Sequence, residues 1–116
     1  MSEIKKENAA DQSHLDIVEI NNEFRALAAL NNWQAYHRPK NMAAAVAVEA
    51  SELLAEFQWL TPEQSNALDV QQKNRVADEV ADVFMYLTEL CVQLNINMAG
   101  AIKTKIEKNK QRNQKS

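Results

Sequence analysis

Two acidic pairs dominate a chain otherwise poor in catalytic residue types: Glu49-Ala-Ser-Glu52 and Glu79-Val-Ala-Asp82. An i, i+3 spacing places both members of a pair on one face of a helix. Both pairs lie in long segments free of Gly and Pro and rich in Ala, Val and Leu, where a helix is expected. On a helical wheel of about 100° per residue, Glu49, Glu52 and Glu56 fall within the stripe of Met42, Val46, Leu53, Phe57 and Leu60. The acids therefore point where the apolar face points, into a bundle. Between Lys40 and Lys103 the only bases are Lys73 and Arg75, against nine acids. Like charges at this spacing destabilise a helix by roughly 0.2–0.5 kcal/mol per pair. Drawing them from water costs several kcal/mol per ion unless something positive compensates. A divalent cation answers both costs, and oxygen-only ligands suit Mg²⁺ or Mn²⁺ better than zinc. No other group has a partner for catalysis: His14 and His37 are isolated, Cys91 is alone, and no Gly-rich phosphate loop, CxxC or HExxH occurs.

The elements that must position these acids are helices. A chain of 116 residues, 46% hydrophobic, with one Gly and two Pro, suits a single all-α domain better than a turn-rich β protein. The net charge of −3 gives no overall attraction to nucleic acid or to an anionic membrane. The start of the chain carries no apolar signal region, and no run of about 18 apolar residues occurs, so a cytoplasmic protein is expected. The lone Cys91 excludes an internal disulfide.

Residues 1–12 read as a flexible polar segment, 13–112 as the domain and 113–116 as a flexible tail. Ser13 is placed to cap a first helix, whose apolar face is Ile17, Ile20, Phe24, Leu27 and Leu30 and which ends at Asn31-Asn32. An aromatic and basic loop, Trp33 to Asn41, leads through Pro39 into a second helix expected to reach Leu60. Thr61-Pro62-Glu63-Gln64 is a capping-box pattern for a short helix. A third long helix, from about Gln71 to Leu94, has an apolar seam at Val76, Val80, Val83, Leu87, Leu90 and Leu94, with Glu79, Asp82 and Tyr86 at its border. A last helix runs from about Met98 to Lys110, in a region (103–116) that holds six of the thirteen bases. The two acidic helices should form an antiparallel hairpin that brings both pairs together at mid-height, in a four-helix-bundle-like arrangement.

At this level of detail the chain resembles the all-α nucleotide pyrophosphohydrolases of the MazG type, in particular their short, dCTP pyrophosphatase-like branch. The resemblance rests on Glu49-x-x-Glu52 followed by Phe57-Gln58-Trp59, and on Glu79-x-x-Asp82-Val83 with Tyr86-Leu87. Trp33-x-x-Tyr36-His37-x-Pro39-x-Asn41 and Lys105-x-x-x-Asn109-x-x-Arg112 extend it over about residues 15–112. It implies Mg²⁺-dependent cleavage (Mn²⁺ as the alternative ion) of a nucleoside triphosphate between the α and β phosphates. It implies Glu49, Glu52, Glu79 and Asp82 as metal ligands and catalytic acids, and Lys105, Asn109 and Arg112 as phosphate holders. Trp33, His37, Asn41, Trp59 and Tyr86 become the candidates for the base and sugar pocket. Two positions depart from the pattern: Ala55 stands where many members carry a third Glu, with Glu56 one place later as a possible extra acid, and Asn113 stands where relatives often have an aromatic.

A chain this small, with an apolar seam to cover, is expected to form a homodimer or, as the resemblance implies, a tetramer with shared sites. Its expected partners are a nucleoside triphosphate and further copies of itself, with no nucleic acid and no membrane. The alternative use of the same bundle is a non-catalytic interaction module whose acidic groove binds a basic peptide. A di-iron site would need Glu-x-x-His, and neither acidic helix contains a His.

Overall fold

The computed structural model describes residues 15–114. Among them there is no strand: the elements are α1 (Ile17–Leu30), a 3₁₀ turn (Gln34–Tyr36), α2 (Pro39–Ala55), α3 (Pro62–Ser65), α4 (Val70–Gln93) and α5 (Met98–Gln114). Helices α2 and α4 form the principal packing pair, and α1 lies against α4. Their direction follows from the cross-links. Glu56 meets Arg75 at one end, Gln93 meets the loop at His37 at the other, and Glu49 meets Glu79 between them. Rising numbers on α2 oppose falling numbers on α4, which is the expected antiparallel hairpin.

Local chemistry sets the boundaries. Asp16 caps α1 by accepting from the Glu19 N–H at 3.0 Å; Ser13, the residue expected there, lies outside the described residues. Thr61 and Gln64 form the anticipated capping box around Pro62, and Asp69 with Gln72 forms a second one at the start of α4. Both α1 and α4 end in the same way, with an asparagine in the left-handed conformation, Asn32 (φ 58°) and Asn95 (φ 55°). The next residue then reaches back five positions to close the helix: Trp33 N–H to the Ala28 carbonyl and Ile96 N–H to the Cys91 carbonyl, each 2.8 Å. A short amide side chain tolerates that conformation where most residues do not, which explains two sharp stops in a chain with a single glycine.

Two helix ends differ from expectation. Helix α2 stops at Ala55 rather than Leu60, because residues 56–58 tighten into i→i−3 bonds onto Leu53, Leu54 and Ala55. Helix α5 continues past Lys110 to Gln114.

The packing is thin. Phe24, Ala28 and Met42 are the buried apolar residues, and the most buried side chains on α4 are Thr88 and Glu89 rather than the apolar seam, whose Val80 and Leu94 are each 51% exposed. The seam reading fails on α4 because its innermost face turns towards a polar partner on α1. Between α1 and α4 an apolar groove of about 740 Å³ stays open, lined by Leu15, Ile20, Phe24, Leu27, Val80 and Phe84. Helix α5 packs on no other element to a comparable extent, and its residues 101–114 are exposed, Ile102 and Ile106 included.

Candidate active site

The site is built where α2 and α4 face each other. Glu49 from α2 and Glu79 and Asp82 from α4 each place one carboxylate oxygen within 4.8 Å of the others, and all three are half-buried. Glu52, one turn along α2, is exposed but adds its negative charge to the same group. The electrostatics register the crowding. Burial first, then Glu52 and Asp82, push the Glu49 carboxyl up to about 7. Burial likewise raises Glu79, with repulsion from Glu52 and Asp82 added, and raises Asp82, helped by Asp78 and Glu52.

No cation among the described residues comes to these acids. Among the described residues the ion pairs are Arg25–Glu89 and Arg75–Glu56. One oxygen of Glu49 and one of Glu79 are buried with no hydrogen-bond donor. Buried carboxylate oxygens are normally satisfied, so an oxygen-ligated divalent cation fits what these residues lack. Among the described residues theirs is the one such metal-capable cluster.

The other two acids on these helices are different. The expectation of an unneutralised acidic stripe on α2 is wrong for Glu56, and Glu89 on α4 is paired as well. Arg75 donates to Glu56 at 2.8 Å, and Arg25 reaches from α1, 64 residues away, to Glu89. Arg75 is one of the two bases between Lys40 and Lys103, whereas Arg25 lies outside that segment and is delivered by the fold. Glu56, which the sequence leaves as a possible fifth acid, is thereby turned towards a guanidinium.

A model of the MazG-like family matches residues 44–115, which include all four clustered acids and the basic motif of α5. The chain belongs to the MazG-like family. Among solved structures, a pyrophosphatase from Archaeoglobus fulgidus shares 35% identity and a TM-score of 0.76, over 85% of this chain and 93% of that one. Two curated relatives are dCTP pyrophosphatase 1 of Rattus norvegicus, 32% identical over 99 residues, and that of Homo sapiens, 30% identical over the same length. The MazG-like chain spans about half the length of these curated relatives, 56% in each case.

The remaining candidate residues of this MazG-like chain fall into two groups. Tyr86 lies beside the acids, its hydroxyl held above the usual range by burial and by Glu49, Asp82 and Glu52. Phe24 meets Tyr86 edge-on and stacks on His37, with ring centroids 5.3 Å apart in both pairs. Asn41 donates to the Tyr36 carbonyl and so braces the loop, and Trp33 follows the end of α1, about half exposed. Trp59 stands apart, 87% exposed in the turn after α2. Lys105, Asn109 and Arg112 are exposed on α5, outside ion-pair distance of the acids. A single chain therefore brings the acids and the Tyr86–Phe24–His37 aromatics together, but not the basic motif or Trp59.

Sequence reasoning missed one feature of the site region. Asn21, Arg25, Glu89 and Gln93 form a polar network, buried at Asn21 and Glu89 and open at Arg25, below the loop that carries His37. A signal for it exists: Glu79, Asp82, Tyr86, Glu89 and Gln93 follow one another at intervals of three and four, a single stripe along α4.

Proposed function

We propose that the chain is a Mg²⁺-dependent nucleoside triphosphate pyrophosphohydrolase that cleaves between the α and β phosphates, with dCTP-like nucleotides favoured. The supporting observation is the cluster of Glu49, Glu52, Glu79 and Asp82, which has two buried, donor-free oxygens and no cation among the described residues, in a chain of the MazG-like family. These four acids would hold Mg²⁺ or, as the alternative, Mn²⁺. Such an ion neutralises phosphate charge and lowers the pKa of a bound water. Relatives named for pyrophosphatase activity, one for dCTP, support the reaction class and the substrate.

The protein's own groups supply the rest. Lys105 and Arg112 offer charge-assisted hydrogen bonds to phosphate oxygens, and Asn109 a neutral one. Trp33, His37, Asn41, Trp59 and Tyr86 supply stacking and polar contacts for base and sugar. Because α5 and Trp59 lie away from the acids of their own chain, the reading includes a homodimer or homotetramer in which a second copy brings them to the site. The thin core, the open apolar groove and the exposed Ile102 and Ile106 supply the surface for that association. Light scattering at assay concentration should give a multiple of the 13.2 kDa chain mass. A monomer mass would count against shared sites. The role that follows is housekeeping of a cytoplasmic nucleotide pool; among the described residues no helix is long and apolar enough to cross a membrane.

The direct test is pyrophosphate release from a panel of ribo- and deoxynucleoside triphosphates with Mg²⁺, with Mn²⁺ and with a chelator. Release with the metal ions and none with the chelator is expected. No release from any nucleotide would leave the acidic interaction module as the better account.

A further inference from the structure

The stripe along α4 does not end at Tyr86. It continues to Glu89 and Gln93, which together with Arg25, Gln34, His37 and Arg38 line a cavity of about 470 Å³ between α1, the loop and α4. Glu89 is 1% exposed and fully employed. Its carboxylate accepts from Arg25 Nε at 2.7 Å, from the second Arg25 nitrogen at 2.9 Å, from Asn21 at 3.1 Å and from Gln93 Nε2 at 2.7 Å. Gln93 Nε2 also donates to the His37 carbonyl at 2.7 Å. Both of its hydrogens are thus spent on groups that only accept, which fixes the orientation of the carboxamide. Its Oε1 is left on the other side, buried and without a donor. A buried acceptor in this state favours a ligand that brings a hydrogen to it.

We propose that Gln93 is a specificity residue: its clamped Oε1 accepts a hydrogen bond from the exocyclic amino group of a base bound in this cavity. The inference rests on the nucleotide reading above and adds to it the edge of the base that is read. The layout matches a nucleotide lying along α4. Asp82 and Gln93 are eleven positions apart, about 16 Å along a helix axis. Phosphates held at the acids put a sugar beside Tyr86 and a base near His37, whose ring continues the aromatic wall through Phe24. Arg38, which has no ion-pair partner among the described residues, adds a donor at the same cavity. An acceptor beside a donor suits the amino-and-carbonyl face of cytosine. Uracil would set a carbonyl oxygen against Gln93 Oε1.

The test compares three deoxynucleoside triphosphates on the unmodified protein with Mg²⁺: cytosine, uracil, and 2-pyrimidinone, which carries hydrogen where cytosine carries its amino group. A site built around a buried acceptor rejects analogues that lack the donor, so kcat/KM should fall by about tenfold or more for 2-pyrimidinone and further for uracil. Gln93→Met, which has similar length and no acceptor of comparable strength, should bring the cytosine to 2-pyrimidinone ratio close to one. Equal kcat/KM for cytosine and 2-pyrimidinone on the unmodified protein overturns the assignment without any variant having to fold. A variant that keeps the parental ratio overturns it as well. Both results leave pyrophosphate release standing, whereas no turnover of any triphosphate removes the reaction and this assignment with it.

Discussion

Helix α4 carries two clusters of buried carboxylate about two turns apart, and they are opposites. At Glu89 the protein supplies a bidentate guanidinium and two amides, so every oxygen has a partner. Burial alone would push that carboxyl up, but the hydrogen bonds from Arg25, Gln93 and Asn21 hold it below the usual carboxylate range. At Glu49, Glu79 and Asp82 the described residues supply only more acid, and all three are held above it. The first cluster is complete within the chain and acts as scaffold. The second has no such partner among the described residues, and on the proposed function a cation from outside completes it. Burial of an acid is therefore no guide to its role here; the partner is.

The largest effect should come from removing one charge from the incomplete cluster. Glu79→Gln keeps size and helix propensity. Without metal the variant is expected to fold at least as stably as the parent, because a repulsion is gone. It should lose most of the Mg²⁺-induced rise in Tm, which arises by mass action, and turnover should drop on the order of a hundredfold or more. Parental hydrolysis rates in this variant would end the account of the site.

The complementary change breaks the complete cluster. Arg25→Met leaves Glu89 buried without its counter-ion. Removing one partner of a buried pair costs about 3–5 kcal/mol, and Arg25 is half exposed, so about 2 kcal/mol is expected here, read from the urea midpoint. The Mg²⁺ response should survive. A loss of Mg²⁺ binding with unchanged stability would reverse the roles assigned to the two clusters.

The contrast also shows what was readable in the sequence. The helices, the capping box at Thr61, the asparagine stop at Asn31-Asn32 and the four acids were all legible, because each is a local pattern with a period of three to four residues. The partner of Glu89 was not, since Arg25 lies 64 positions away and pairing at that range is a property of the packing. Nor was the burial along α4. A seam drawn from apolar residues alone passes over Glu89, whose charge is hidden by a bidentate bond that no window on α4 contains. Lys105, Asn109 and Arg112 were legible as a motif by resemblance, but on α5 of this chain they lie exposed and away from the acids.

Titration should separate the clusters with a smaller effect. Glu49 is raised to about 7 from the ordinary carboxylate value of 4.5, so between those values the folded state binds protons that the unfolded chain releases. Stability without metal should therefore fall as pH rises through that window, by about 1–2 kcal/mol. Glu89 works the other way: its contribution is present above the unfolded carboxylate range and is lost as pH falls through its lowered value. Urea titrations with a chelator should thus be most stable near the acidic end of the window, and saturating Mg²⁺ should flatten the decline towards pH 7. A metal-free protein whose stability rises steadily from pH 5 to 7 would contradict the repulsion assigned to Glu49.

The smallest effect, and the sharpest test of the contrast, lies at Glu56. It belongs to the same pair of helices as the incomplete cluster, one turn beyond Glu52, yet it is paired as Glu89 is, with Arg75 at 2.8 Å. The Arg75 side chain is 57% exposed, and exposed ion pairs contribute only about 0.2–1 kcal/mol. Arg75→Gln should therefore shift the urea midpoint slightly. If partnership decides role, Glu56→Gln should do the same and leave the Mg²⁺-induced rise in Tm and the turnover close to parental, unlike Glu79→Gln. With Ala55 at the neighbouring position, Glu56 is also the one acid near enough in sequence to replace a missing ligand. If Glu56→Gln abolished the Mg²⁺ response, its bond to Arg75 would be a resting contact given up when the cation binds, and partnership in the metal-free protein would no longer separate scaffold from ligand.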